Sequence, residues 1–386
     1  MTGFASLALA AGTIAAAASP AQAGTASLPD PAQGHPYRHG TVPTRGVGHA
    51  KHSSGTAAAA SSNLQYYGGT DGVGVTSGAP KVHLVFWGSQ WGASGTDANG
   101  DTTLAGDRSG MAPVLQEFFK GLGTGGETWS GVMTQYCEGI AKGATTCAPT
   151  DTHIGYPTDG ALAGVWVDGS SAAPDQANGN QIGQEAVSAA AHFGNTDTAS
   201  NRNVQYVVVS PRGTHPDGYG SSGFCAWHDF TGDNALSGGP VNSPYGPVTF
   251  TNLPYIPDQG SNCGANSVNA GSAGTLDGVT IVEGHEYAET ITDQHPYSPN
   301  GSDPVPQSGG WLDASGEENG DKCAWIKTGQ GATQNITLTT GTFAVQSTWS
   351  NDFNNGAGGC EISHPIVTNG GSDGGGSLTQ RRLRDR

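Results

Sequence analysis

The chain has 386 residues, and its 32 Asp and Glu outnumber its 15 Lys and Arg, for a formal net charge of −17. That balance excludes nucleic acid as a partner, because phosphates need a basic face. The length suits one large core or two fused lobes.

Residues 1–23 hold an apolar run, ASLALAAGTIAAAA, that ends at Ala21-Gln22-Ala23, a small-x-small cleavage pattern. The run is too short for a comfortable membrane span and reads as a secretory signal peptide, although the usual basic start is missing. No later segment is as long and apolar, so the mature protein is expected to have no membrane span and to be a secreted, extracellular monomer. Residues 24–63 are rich in Gly, Ala, Ser, Pro and His without an apolar period, and read as a disordered propeptide or linker. Residues 369–386, a Gly-rich run closing on RRLRDR, read as a disordered tail. A single α/β domain is expected over 64–368.

Within it, VHLVFWG (82–88) is a strand candidate, and MAPVLQEFFKGL (111–122) has Leu115, Phe118, Phe119 and Leu122 at helical spacing. GVWVDG (164–169) is a short strand, QIGQEAVSAAAHF (181–193) a helix and NVQYVVVS (203–210) the clearest strand. A long Gly-, Pro- and Asn-rich region follows and carries Cys225 and Cys263. TLDGVTIVEGHEYAETITD (275–293) is the next helix, with Asp277 as its N-cap. NITLTTGTFAVQSTW (335–349) is a β-hairpin turning near Thr340-Gly341. This order predicts an α/β fold: a mixed sheet with flanking helices, disulfide-stapled loops and a C-terminal hairpin. With an export signal, the six cysteines are expected in disulfides, and sequence-local pairing would give Cys137–Cys147, Cys225–Cys263 and Cys323–Cys360.

The stretch VEGHEYAETITD (282–293) carries the chemistry. On a helix His285 and Glu289 share a face, with Glu286 displaced around it. This is the geometry of HExxH zinc helices with glutamate in place of the second histidine, and a carboxylate oxygen is a competent zinc ligand. Glu286 is the candidate general base. A further ligand must come from elsewhere. His228 in GFCAWHDF is the first choice and Asp321 the second, with Asp313, Glu317, Glu318, Asp293 and His295 as further candidates. A solvated acidic helix face is the competing reading of the same four-residue pattern. DANGDTTLAGDR (97–108) begins like a calcium loop but lacks its glycine and terminal glutamate, and GGSDG (370–374) matches a serine elbow without the strand and helix it needs.

Eight segments in order, NLQYYGG, VHLVFWGSQW, WSGVMTQY, VQYVVVS, GFCAWH, the HEYAE helix, GEENGDKC and FAVQSTWSN, resemble the Exordium family of phosphate-induced plant proteins and their bacterial relatives. Tyr67 departs from that family's usual histidine, and the FC-to-His segment is shorter. The resemblance implies an exported, cell-wall or extracellular protein, and it places His228, His285, Glu286, Glu289, Glu318 and Asp321 on motif positions. The resulting expectation is a secreted zinc-dependent hydrolase with a zincin-like helix, acting on an extracellular peptide or cell-wall substrate. The alternative is a non-enzymatic wall-glycan or peptide-binding protein with a structural metal or a hydrogen-bonded His/acid cluster, in which Trp91 and Trp129 would stack on sugars if exposed.

Overall fold

The computed structural model describes Met1 and residues 31–32, 35–45, 63–296 and 307–368. The signal-peptide and tail expectations and the GGSDG motif therefore lie outside the described residues. Six strands form the central sheet: β1 (His39–Pro43), β2 (Lys81–Trp87), β3 (Leu162–Asp168), β4 (Val204–Val209), β5 (Phe224–Phe230) and β6 (Thr249–Leu253), in the order β1-β5-β6-β4-β2-β3. The β3-β2-β4-β6 side is parallel, while β5 runs antiparallel to both β6 and β1. The expected mixed α/β sheet is thus present. All six residues of β4 are buried, as a parallel strand covered on both faces requires.

Two helices serve the parallel half. In α1 (Met111–Gly121), Leu115, Phe118 and Phe119 are buried, and the free N–H groups at its start are met by the Asp107 carboxylate, which accepts from Gly110, Met111 and Ala112 at 2.7–3.0 Å. In α2 (Gly179–His192), Asn178 and Gln181 form a reciprocal capping box.

The third helix, α3 (Asp277–Thr292), has all 16 residues buried. It packs against β1 and β5 and against a hairpin, β7 (Gln334–Leu338) with β8 (Gly341–Val345), whose two-residue turn is Thr339-Thr340. The expected cap is corrected: Leu276 holds the N-cap position, and the Asp277 carboxylate instead accepts from the Val268 and Asn269 N–H groups at 2.8 Å, tying down the preceding loop. A short pair, β9 (Thr348–Ser350) with β10 (Gly359–Glu361), closes the chain.

Three disulfides join Cys137–Cys147, Cys225–Cys263 and Cys323–Cys360, the sequence-local pattern. They suit an oxidising compartment. No described helix is long and apolar enough to cross a membrane.

Three expectations differ from the structure. Residues 39–43, inside the segment read as a disordered propeptide or linker, form β1, where Val42 is buried, and Tyr37 just before it is buried too. The region after residue 210 is not irregular throughout, since it contains β5 and β6. Trp91 and Trp129 are fully buried, so neither offers a face to a sugar.

Candidate metal centre

A helix buried on every side should be apolar all round. Yet α3 carries Asp277, Glu283, His285, Glu286 and Glu289 into the interior. Burying an ionised carboxylate is costly unless something of opposite charge meets it. The partners come from two directions. The sheet supplies His228 from β5, and the turn at 318–323 supplies Glu318 and Asp321, anchored by Cys323–Cys360.

His285 Nε2 lies 2.8 Å from Glu289 Oε2 and 3.7 Å from Asp321 Oδ1. His228 Nδ1 lies 3.2 Å from Glu286 Oε2, and its Nε2 lies 3.6 Å from Glu318 Oε2. Two overlapping groups could hold a metal ion, His228 with Glu286 and Glu289, and His285 with Glu289 and Asp321; Glu289 belongs to both. Donors around a small divalent ion at about 2.0–2.1 Å stand roughly 3.3 Å apart, close to these spacings. His228 Nε2, Glu286 Oε1 and Glu318 Oε2 are buried with no hydrogen-bond partner among the described residues. Buried acceptors left without a partner are groups that a bound cation would satisfy.

Local geometry fixes the orientation of His285. The Gln346 amide donates through Nε2 to Gly320 O at 2.8 Å and Ser347 O at 3.2 Å, so its Oε1 faces His285 Nδ1 at 3.1 Å. His285 Nδ1 therefore carries the proton. Its Nε2 then faces only oxygens: Glu289 Oε2, Asp321 Oδ1 and the Gly40 carbonyl at 3.1 Å. A nitrogen so surrounded calls for positive charge, either a second proton or a metal ion. Burial works against the imidazolium, but Glu289 and Asp321 outweigh it and push its pKa up to about 9. Glu286, Glu318 and Asp321 are all held well above the usual carboxylate range, by burial first and then by the charge of Glu289. His228 is held well below the usual range, by burial and then by His39 and His285.

The backbone makes room for this cluster. A Cβ on Gly320 would stand 2.8 Å from Glu289 Oε1 and 2.9 Å from His285 Nδ1, and the Asp321 N–H donates to Glu289 Oε1 at 2.7 Å.

The structure thus brings together His285, Glu286, Glu289, His228, Asp321 and Glu318. It does not bring in Asp313, which pairs with Lys322 at 2.8 Å, or His295, which stacks on Phe230. Asp293 instead accepts from Gly310 N–H at 2.6 Å. The sequence reading missed Gln346, Gly320, Gly40 and Glu283. Glu283 is the third glutamate of the quoted stretch, buried with neither carboxylate oxygen hydrogen-bonded among the described residues. Its spacing of three from Glu286 was the available signal.

A second, smaller group lies beside the first: His39 of β1 with Asp229 and Asp233. No protein-family model, no curated protein and no solved structure matches this chain.

Proposed function

We propose that the protein is a secreted metal-dependent hydrolase of peptide or amide bonds, with zinc as the metal. The observation that carries this reading is His285 Nε2, which faces three oxygens inside a buried cluster of acids while Nδ1 is held by Gln346. Two imidazoles with carboxylates are a donor set that suits zinc. His285, Glu289, His228 and Asp321 would hold the ion, and Glu286 would be the base. When bound, the ion would supply Lewis acidity and a water of lowered pKa.

The chain's own groups would do the rest. Glu286, its affinity for protons raised by burial and then by Glu289, is suited to take a proton and return it to a leaving amine. His228 Nδ1 holds one Glu286 oxygen at 3.2 Å and leaves Oε1 without a partner, the atom available for that proton. The buried setting keeps bulk water from competing. Kinship with the Exordium family is likewise a proposal, and it rests on the eight ordered segments alone.

The test is metal analysis of the purified protein alongside Glu286→Gln. The expected result is about one equivalent of metal in both proteins, with peptide hydrolysis reduced at least 100-fold in the variant. A protein without stoichiometric metal, whose properties are unchanged by His285→Ala, overturns the reading.

A further inference from the structure

Residues 35–45 reach the candidate site through β1. Their strand, β1, lies antiparallel along the outer edge of β5, with His39 opposite His228, Val42 opposite Ala226 and Pro43 opposite Phe224. Without it, β5 is a free edge running past the metal cluster. An extended peptide can add to such an edge, gaining affinity from main-chain hydrogen bonds and specificity from side-chain pockets.

β1 covers the donors directly. Gly40 sits at φ +53°, and a Cβ there would come within 1.9 Å of Glu289 Oε2 and 2.7 Å of the His228 ring. Its carbonyl oxygen is 3.1 Å from His285 Nε2. A strand present only to complete a sheet has no need to press a left-handed glycine into a cluster of carboxylates.

The side chains before Gly40 fill formed pockets. Arg38 donates through Nε to Asp217 Oδ2 at 2.7 Å and through its terminal nitrogen to the Asp217 carbonyl at 2.8 Å, with its guanidinium 4.8 Å above the Phe224 ring. Asp217 stands at φ +51°, which turns both its carboxylate and its carbonyl to the same guanidinium. Tyr37 meets Trp227 edge-on at 5.6 Å and donates its hydroxyl to Asp217 Oδ1 at 2.9 Å.

We propose that the β5 edge is a peptide-binding groove selective for an extended chain with a basic residue two positions before a glycine. Residues 35–45 are then an internal occupant that closes the site in the full chain. The word "substrate" for such a peptide rests on the hydrolase reading; the groove and its occupant do not.

The experiment titrates a fluorescently labelled synthetic peptide of residues 35–45 into the full chain and into its Gly40→Ala variant, reading anisotropy. The added methyl group collides with Glu289 and expels the chain's own strand without altering the groove. Saturable binding is expected for the variant and none for the parent, and replacing Arg38 by Gln in the peptide should weaken binding at least tenfold. A folded Gly40→Ala chain that ignores the peptide overturns the proposal, as does a parent chain that binds it equally well. If Gly40→Ala fails to fold, a full chain cut at a protease site inserted between Ser54 and Gly55 decides: failure of excess labelled peptide to displace the cut segment marks β1 as an integral strand and overturns the proposal. Hydrolysis of an Arg-x-Gly peptide is followed in parallel. Binding without cleavage supports the groove and counts against the hydrolase; cleavage by the parent at the variant's rate supports the hydrolase and overturns the closed state.

Discussion

Replacing Gln346 by Leu tests the orientation of His285 without touching a ligand candidate. Gln346 is fully buried, immediately after β8, and its amide makes contacts that leucine cannot, chief among them acceptance from His285 Nδ1 at 3.1 Å and donation to Gly320 O at 2.8 Å. A buried polar group left without its partner costs about 1–3 kcal/mol. Two such groups make a loss on the order of 3 kcal/mol, eased by the apolar surface that leucine buries. For a domain of this size that lowers Tm by roughly 6 °C in excess chelator. Metal affinity should fall further, because an imidazole that loses its outer hydrogen bond loses its tautomer preference. Such losses run about 10–100-fold, or roughly 1.4–2.7 kcal/mol. Gln346→Glu is the control. It keeps an acceptor at His285 Nδ1 and loses the donations to Gly320 and Ser347, so it should be destabilised while holding metal within a few-fold of the parent. Competition with a chromophoric chelator reads affinity, and thermal unfolding reads stability. Equal metal affinity in Gln346→Leu and the parent refutes the claim that Gln346 sets the His285 tautomer.

Gly320→Ala places a methyl group 2.8 Å from Glu289 Oε1 and 2.9 Å from His285 Nδ1, so it should cost about 1–3 kcal/mol of stability and weaken metal binding, read by the same two assays. Glu185 on α2 belongs to none of the metal-capable groups, and burial followed by the Asp168 charge raises its pKa from 4.5 to about 8. Unfolding therefore releases a proton between those values, and stability falls as pH climbs from 4.5 through 8. Glu185→Gln should match the parent near pH 4.5 and exceed it above pH 8 by on the order of 2–4 kcal/mol, measured by urea unfolding across that range. Replacing Cys225 and Cys263 by Ala opens a loop whose ends are 38 residues apart, which should cost about 3–4 kcal/mol by chain entropy. Because that loop meets β5 at its start, the same variant should also weaken metal binding through His228, as equilibrium dialysis would show.

Elements whose own residues dictate them were legible in the sequence. The apolar strands around Leu84 and Val207, the helix bearing Phe118 and Phe119, and the hairpin around Thr340 follow from local pattern. The disulfides followed because each cysteine's nearest neighbour in sequence is also its partner. The strands β5 and β6 were not legible. FCAWHDF and TFTNL mix polar and apolar residues without alternation, yet every position in both is buried. They pair with each other and lie between β1 and β4, so their polar side chains are met by the protein rather than by water. In β6, Thr251 takes a hydrogen bond from Gln205 at 2.6 Å. Periodicity presumes one wet face, and neither strand has one. β1 was hidden for another reason: HGTVP holds a glycine and a proline, which count against a strand in any local scale, and only contact with β5 and α3 makes it one.

The candidate centre was half legible for a reason that bears on its chemistry. Helical spacing puts His285 and Glu289 on one face and sends Glu286 about 100° around the axis. From sequence, that offset separates a base from its ligands. In the folded chain the offset is filled, because His228 approaches from the sheet toward Glu286 while Asp321 approaches from the turn toward His285. The cluster therefore wraps about a quarter of the helix, and Glu289 is the residue common to both sides. A solvated acidic face would leave these carboxylates open to water, whereas Glu286 and Glu289 are fully buried. Desolvation makes each acid costly to ionise alone and makes the group strongly attractive to a small cation. Burial thus turns a weak four-residue pattern into a cluster that could hold a small cation. Because Glu289 faces both halves, Glu289→Gln should loosen His285 and His228 together, whereas Asp321→Asn should disturb the His285 side alone; imidazole nitrogen chemical shifts of the two histidines separate these outcomes. Equal and independent responses to both substitutions would mean that the two halves are not one site.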